Sequence, residues 1–145
     1  MYASWIKRDS LLVTQLQFNT DLENNLQAIS ALGIDTSGPH YFIPPYEWWN
    51  DTIAAWAKQQ GWSLTNFTPG IRTNADYTWP QMGKAYMSSS EIIASIKRGK
   101  LNGAIILIHA GVDPRRKDKL YDHLDELLTW LESNGYRCLR LDQLL

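Results

Sequence analysis

The chain has 145 residues, of which 44% are hydrophobic and 20% are charged, and its formal net charge is −1. These values are typical of a globular protein large enough to bury a core, and they give no reason to expect nucleic acid or an anionic membrane as a partner. Cys138 is the single cysteine, which excludes an internal disulfide and any site built from several cysteines.

The chain begins with the pattern of a helix followed by a short strand. Thr14 and Gln17 have the spacing of a capping box, and apolar residues then recur at helical spacing up to Gly33, a natural helix stop. Residues 41–43 are a short apolar run that predicts a strand.

A second helix and strand follow, and then a long loop. Asn50 is the expected N-cap of this helix and Gly61 its end, while residues 62–67 predict the next strand. Residues 68–88 are rich in Gly, Pro, Asn and Thr. Loops of this length within a compact domain are usually functional or disordered, and the Trp and Tyr residues of this one favour function.

The last part of the chain repeats the alternation twice. Ser89 or Ser90 is the expected cap of a third helix, and the apolar residues 104–108 predict a strand buried on both faces. Residues 117–133 predict a fourth helix and residues 136–141 a last strand.

Strict alternation of helices and strands predicts an α/β fold with a parallel sheet, in one domain that spans residues 1–145. Four strands are too few to close a barrel. We therefore expect this chain to be part of a larger structure.

The most specific candidate for chemistry is His109, which directly follows the apolar run 104–108. Sites of parallel α/β folds lie at the carboxyl ends of strands, and histidine suits proton transfer near neutral pH. The alternative is a histidine that satisfies a local hydrogen bond. Asp76 in the long loop is a candidate partner of the imidazole, although an Asp there often makes only a local turn. His40, His109 and His123 have no metal-ligand spacing among them.

A second candidate segment follows the predicted strand 41–43. Pro44 and Pro45 fix the backbone sharply, which would hold the Tyr46 amide and the Trp48 ring at the mouth of a barrel. The alternative is a rigid connection whose aromatic residues only cover the rim.

These segments together resemble the polysaccharide deacetylase family. Residues 44–46 (Pro-Pro-Tyr) with residues 48–50 (Trp-Trp-Asn) are similar to its third motif, the loop of Asp76 to its fourth, and Leu107-x-His109 to its fifth. Residues 4–14 resemble the segment that comes after the second motif in one branch of the family. The similarity covers essentially the whole chain, in the family's order.

The resemblance implies that the chain is the last four β/α units of a distorted (β/α)₇ barrel of parallel strands. It implies a hydrolase that removes acetyl groups from amino sugars or glycans with zinc or another divalent metal. The family's metal ligands and catalytic base come from its first two motifs, which this chain lacks. We therefore expect the chain by itself to bind zinc weakly and to lack deacetylase activity until the N-terminal half is present.

The resemblance also assigns roles by position. His109 would be the general acid that protonates the leaving amine, and Asp76 would orient it. Leu107 would line the pocket for the acetyl methyl group. The Tyr46 backbone N–H would stabilise the tetrahedral oxyanion.

By the same resemblance, Trp48 or Trp79 would stack on a sugar.

The chain departs from the family pattern at Ile43, where an Arg is usual, and at Glu47, where a Gly is usual. Glu47 is therefore a candidate determinant of substrate choice.

The expected partner is a carbohydrate, with no nucleic acid and no membrane span. Self-association through an open sheet edge is a further expectation. One alternative to an enzyme is a non-catalytic carbohydrate-binding or interaction protein. Another is a complete small α/β domain whose similarity to deacetylases is accidental. The first five residues predict no signal peptide. The sequence does not determine the cellular compartment, and an extracytoplasmic location of a parent protein remains one of the alternatives.

Overall fold

In a computed structural model, which describes residues 1–144, the chain contains four α-helices and one sheet of two strands. Their bounds are α1 (Gln15–Ala31), β1 (His40–Phe42), α2 (Asp51–Gln59), β2 (Trp62–Leu64), α3 (Ser89–Arg98) and α4 (Leu124–Ser133). The chain divides into two compact units, residues 1–66 and residues 67–145. No helix within residues 1–144 is both long enough and apolar enough to cross a bilayer.

The first unit begins with α1, and its predicted cap is confirmed. The Thr14 side chain accepts a hydrogen bond from the Gln17 backbone N–H, and Gln17 accepts one from the Thr14 backbone in return. Phe18 and Leu22 are the buried residues of α1, four apart and therefore on one face.

The sheet of the first unit is a single parallel pair. His40 lies opposite Trp62 and Phe42 opposite Leu64, with α2 as the crossover between the strands. Asn50 caps α2 by accepting from the Ile53 N–H, as the sequence predicts. The core of this unit consists of the buried residues Tyr2, Ala3, Phe18, Leu22, Phe42, Ile53 and Ala57.

The second unit is built on α3 and α4. Ser88 caps α3 and forms a capping box with Glu91, one residue before the earlier of the two predicted caps. The predicted fourth helix begins later than expected, because residues 120–123 form a 3₁₀ turn before α4. The core of this unit consists of Ile71, Ala75, Ile92, Ile93, Ile96, Leu101, Leu120, Leu127 and Leu131.

The predicted barrel fragment is wrong. Instead of four β/α units with parallel strands, the described residues contain two strands of three residues each, and neither segment 104–108 nor segment 136–141 is a strand. Ile105 makes two hydrogen bonds with Thr68 that are not part of a strand ladder. The Thr68 N–H donates to the Ile105 carbonyl at 2.9 Å, and the Ile105 N–H donates to the Thr68 hydroxyl at 2.9 Å.

The error has a physical reason. An apolar run specifies burial, and Ala104, Ile106 and Ile108 do pack against the second core. A strand additionally requires a neighbour whose backbone pairs in register, and that depends on residues distant in sequence. At Ile105 a threonine hydroxyl takes the place of one such backbone partner.

We predict that Gly99→Ala destabilises the protein. A Cβ at Gly99 would lie 2.5 Å from Ile71 Cγ2 and 3.2 Å from the Ile96 carbonyl, so it overpacks the core. We expect a loss of about 1–3 kcal/mol in the free energy of unfolding, measured by urea denaturation. Gly111→Ala is the matched control, since nothing lies within 4 Å of its Cβ position. Equal midpoints for both variants would contradict the prediction.

Candidate functional site

The structure brings Asp76 and His109 into direct contact within the second unit. His109 Nδ1 lies 2.6 Å from Asp76 Oδ1, and the His109 backbone N–H donates to Asp76 Oδ2 at 2.6 Å. The Asp76 side chain is 1% exposed and the His109 side chain 28% exposed. The carboxylate is therefore the buried, fixed partner and the imidazole is the partner that reaches solvent.

A short 3₁₀ turn, Thr73–Tyr77, positions Asp76. Thr73, Ala75 and Asp76 of this turn are all buried. Thr78 closes the turn: its backbone N–H and its hydroxyl both donate to the Ala75 carbonyl, at 3.0 Å and 2.5 Å.

His109 takes its position from the apolar segment before it. Ala104, Ile106 and Ile108 pack against the core of the second unit, whereas Leu107 is half-buried and does not belong to that set. Alternate residues of the segment therefore have different surroundings, although the segment is not a strand. Leu107 and His109 are two residues apart, and both alternate in sequence with the core-packed residues Ile106 and Ile108.

This contact gives the pair the chemistry of an oriented acid. A carboxylate at Nδ1 fixes the ring orientation, favours the tautomer with the proton on Nδ1, and stabilises the imidazolium form. Proton exchange with a ligand would then use Nε2, on the opposite side of the ring. The Tyr77 ring packs edge-on to the imidazole, with the ring centroids 5.6 Å apart.

Trp79 lies after the same turn and is half-buried. The guanidinium of Arg115 lies 3.9 Å from the centroid of its ring, and Asp113 holds that guanidinium through Nε and Nη2 at 2.8 Å and 2.6 Å. Hydrogen bonds from the Arg115 side chain, and then from its backbone N–H, keep the pKa of Asp113 below its ordinary value. Trp79 therefore carries a charge-compensated cation on its ring.

In the first unit, Tyr46 and Glu47 have an unusual backbone. Their φ angles are 63° and 52°, within the 3₁₀ turn Pro45–Glu47 that follows two prolines. The left-handed region disfavours residues that have a Cβ and favours glycine. This gives a physical reason for the glycine that the family pattern places where this chain has Glu47.

Trp48 of the first unit packs against the start of the chain. Its ring is stacked on Trp5 with centroids 5.2 Å apart and carries the Arg8 guanidinium at 5.0 Å. Its Nε1 donates to the Ser4 carbonyl at 3.3 Å. These contacts give Trp48 a packing role. The Trp5 ring that is stacked on it is half-exposed.

The sequence did not reveal the importance of Arg116. This side chain is fully buried and donates to carbonyls of the loop that carries Asp76. An arginine in a polar stretch normally lies at the surface, so its type and its neighbours gave no sign of burial.

Among residues 1–144, no three His, Cys, Asp or Glu side chains are placed to hold a metal ion. No protein-family model matches the chain, and no curated protein matches it. The resemblance to deacetylases thus depends on the motifs alone.

We predict that Glu47→Gly stabilises the protein relative to Glu47→Ala. Both variants remove the same carboxylate, but only glycine relieves the left-handed strain at φ 52°. The expected difference in the free energy of unfolding is about 1 kcal/mol, measured by thermal or urea denaturation. If the alanine variant proves as stable as the glycine variant, the strain at this position is not significant.

Proposed function

We propose that the Asp76–His109 pair is the acid–base part of a polysaccharide deacetylase-like site, which hydrolyses acetyl groups on amino sugars or glycans. The observation that carries the proposal is the 2.6 Å contact between His109 Nδ1 and Asp76 Oδ1. The resemblance implies an Asp that orients this His, and the two residues lie 33 positions apart in sequence. Their contact is therefore not a consequence of local sequence.

In this proposal His109 acts in its protonated form. As the bond between the acyl carbon and the sugar nitrogen breaks, Nε2 donates its proton to the leaving nitrogen, which departs as a neutral amine. The Asp76 carboxylate stabilises the imidazolium before the transfer. Leu107 offers an apolar surface for the acetyl methyl group. Proton donation is the step that this chain's own residues supply.

A non-catalytic carbohydrate-binding protein is the second candidate. The observation that favours it is the aromatic surface around Trp79, whose ring is held by Arg115 and Asp113. Aromatic rings with a fixed orientation suit the apolar faces of sugars. This candidate needs no metal and no proton transfer.

We predict that His109→Ala lowers acetate release from N-acetylated chitooligosaccharides by about 10²–10⁴-fold, the usual contribution of a general acid. The assay requires zinc and a polypeptide that includes the metal-binding residues, with zinc content unchanged between variants. Asp76→Asn should cause a smaller loss. Removing the carboxylate lowers the pKa of His109, so activity should decline at a lower pH on the alkaline side. His123→Ala is the control.

Turnover that is unchanged in His109→Ala would exclude the general-acid role. Nuclear magnetic resonance of this chain distinguishes the two candidates further. For the deacetylase-like site, N-acetylated chitotetraose should shift the His109 ring signals, and its deacetylated form should do so less. Shifts confined to Trp79 and its neighbours, without acetate release, would favour the binding protein.

We also propose that two copies of the chain associate through the groove beside segment 104–108. A cavity of ≈ 540 Å³ lies between this segment and residues 135–139. Among the described residues, the backbone N–H groups of Ile106 and Leu107 have no hydrogen-bond partner. The segment carries no charge, so no like charges oppose its contact with the same segment of a second copy.

We predict that Ile105→Lys weakens this self-association by about tenfold or more, because pairing of two copies would bring the new ammonium groups together. Ile105 lines the groove and is not among the core residues of the second unit. Leu128→Lys, at an exposed position of α4, is the control. Sedimentation equilibrium measures the dissociation constant, and a wild-type chain that stays monomeric at high concentration would contradict the proposal.

A further inference from the structure

Arg116 is the most deeply buried charged side chain of the second unit, with a relative exposure of 0%. Its Nη1 donates to the carbonyls of Thr78 at 2.6 Å and Met87 at 3.0 Å, and its Nη2 donates to the Ser89 hydroxyl at 3.1 Å. Burying a cation is costly unless it is hydrogen-bonded and compensated. Two loop carbonyls and the Ser89 hydroxyl at the start of α3 meet part of this cost, although Nε has no hydrogen-bond partner among the described residues. The guanidinium therefore fixes the positions of these three groups.

One of these groups is directly connected to the candidate site. Thr78 closes the turn that carries Asp76, and both its N–H and its hydroxyl bind the Ala75 carbonyl. A 3₁₀ turn of five residues does not hold its shape well alone. By binding the Thr78 carbonyl, Arg116 anchors the end of this turn from outside.

The other connection runs along the chain. Arg116 follows His109 by seven residues, and its backbone N–H donates to the Asp113 carbonyl at 2.9 Å, which folds the segment between them. The same side chain therefore joins the segment of His109 to the turn of Asp76. Both members of the pair are positioned relative to one buried group.

We propose that Arg116 is a positioning residue for the Asp76–His109 pair. It acts through the Thr78 carbonyl and touches neither reacting atom. The inference rests on the proposed function only in treating the pair as reactive, since the geometry that it explains exists without any substrate.

The test is the titration of His109 by nuclear magnetic resonance in the chain without substrate. In Arg116→Lys, the charge is kept but the fork that reaches several acceptors is lost. We expect the pKa of His109 to fall, because the carboxylate no longer lies at a fixed distance from Nδ1. Asp76→Asn should lower it at least as much, and the double variant should show no further change.

Asp118→Asn is the control for a purely structural effect. Asp118 accepts the Ser89 N–H at 2.6 Å and lies 3.9 Å from Arg116 Nη2, so its loss weakens the start of α3 but leaves the Thr78 bond in place. This variant should have a lower melting temperature and an unchanged His109 titration. Arg140→Lys, on the exposed surface, should change neither.

A His109 titration in Arg116→Lys identical to wild type, or a double variant whose two effects add, would overturn the proposal. If Arg116→Lys does not fold, Arg116→Gln replaces it, since its amide can still donate to the Thr78 carbonyl. That variant should give a smaller decrease, and no decrease would equally overturn the proposal. Because no turnover is measured, these outcomes are independent of whether the chain hydrolyses acetyl groups.

Discussion

Burial of the Arg116 guanidinium is the interaction on which the second unit depends. Its side chain donates to Thr78 and Met87, in the middle and near the end of the irregular loop 68–88, and to Ser89, the first residue of α3. The loop contains little regular structure of its own, so its shape must come from outside contacts. A charged donor in a low-dielectric surrounding provides such contacts strongly, and leaving it unpaired would be costly.

The same cluster links the loop to the start of α3. Asp118 accepts the first backbone N–H of the helix and faces Arg116 and His123. Burial raises the pKa of Asp118, but hydrogen bonds from Ser89 and the two nearby positive groups together bring it below its ordinary value. A lowered folded-state pKa means that Asp118 stabilises the fold above its unfolded pKa and loses this contribution as the pH falls. Acid therefore weakens the start of α3.

The candidate site combines one buried and one accessible group. Asp76 is covered and accepts two hydrogen bonds from His109, one from the ring and one from the backbone. The second bond matters because it fixes the backbone of His109 as well as its ring. Such a pair combines a covered, fixed carboxylate with an imidazole that is partly exposed.

The sequence by itself determined the local features. The capping pairs at Thr14 and the cap at Asn50 were readable because a cap involves residues only three apart. The sequence also singled out His109, because it follows the apolar run 104–108, and Asp76, because it lies in the long loop. Tertiary structure decided what depends on distant partners: whether segment 104–108 pairs as a strand, and where the side chain of Arg116 lies. Periodicity reports which residues are buried, but the pairing of a backbone and the burial of a cation depend on groups that only the folded chain brings together.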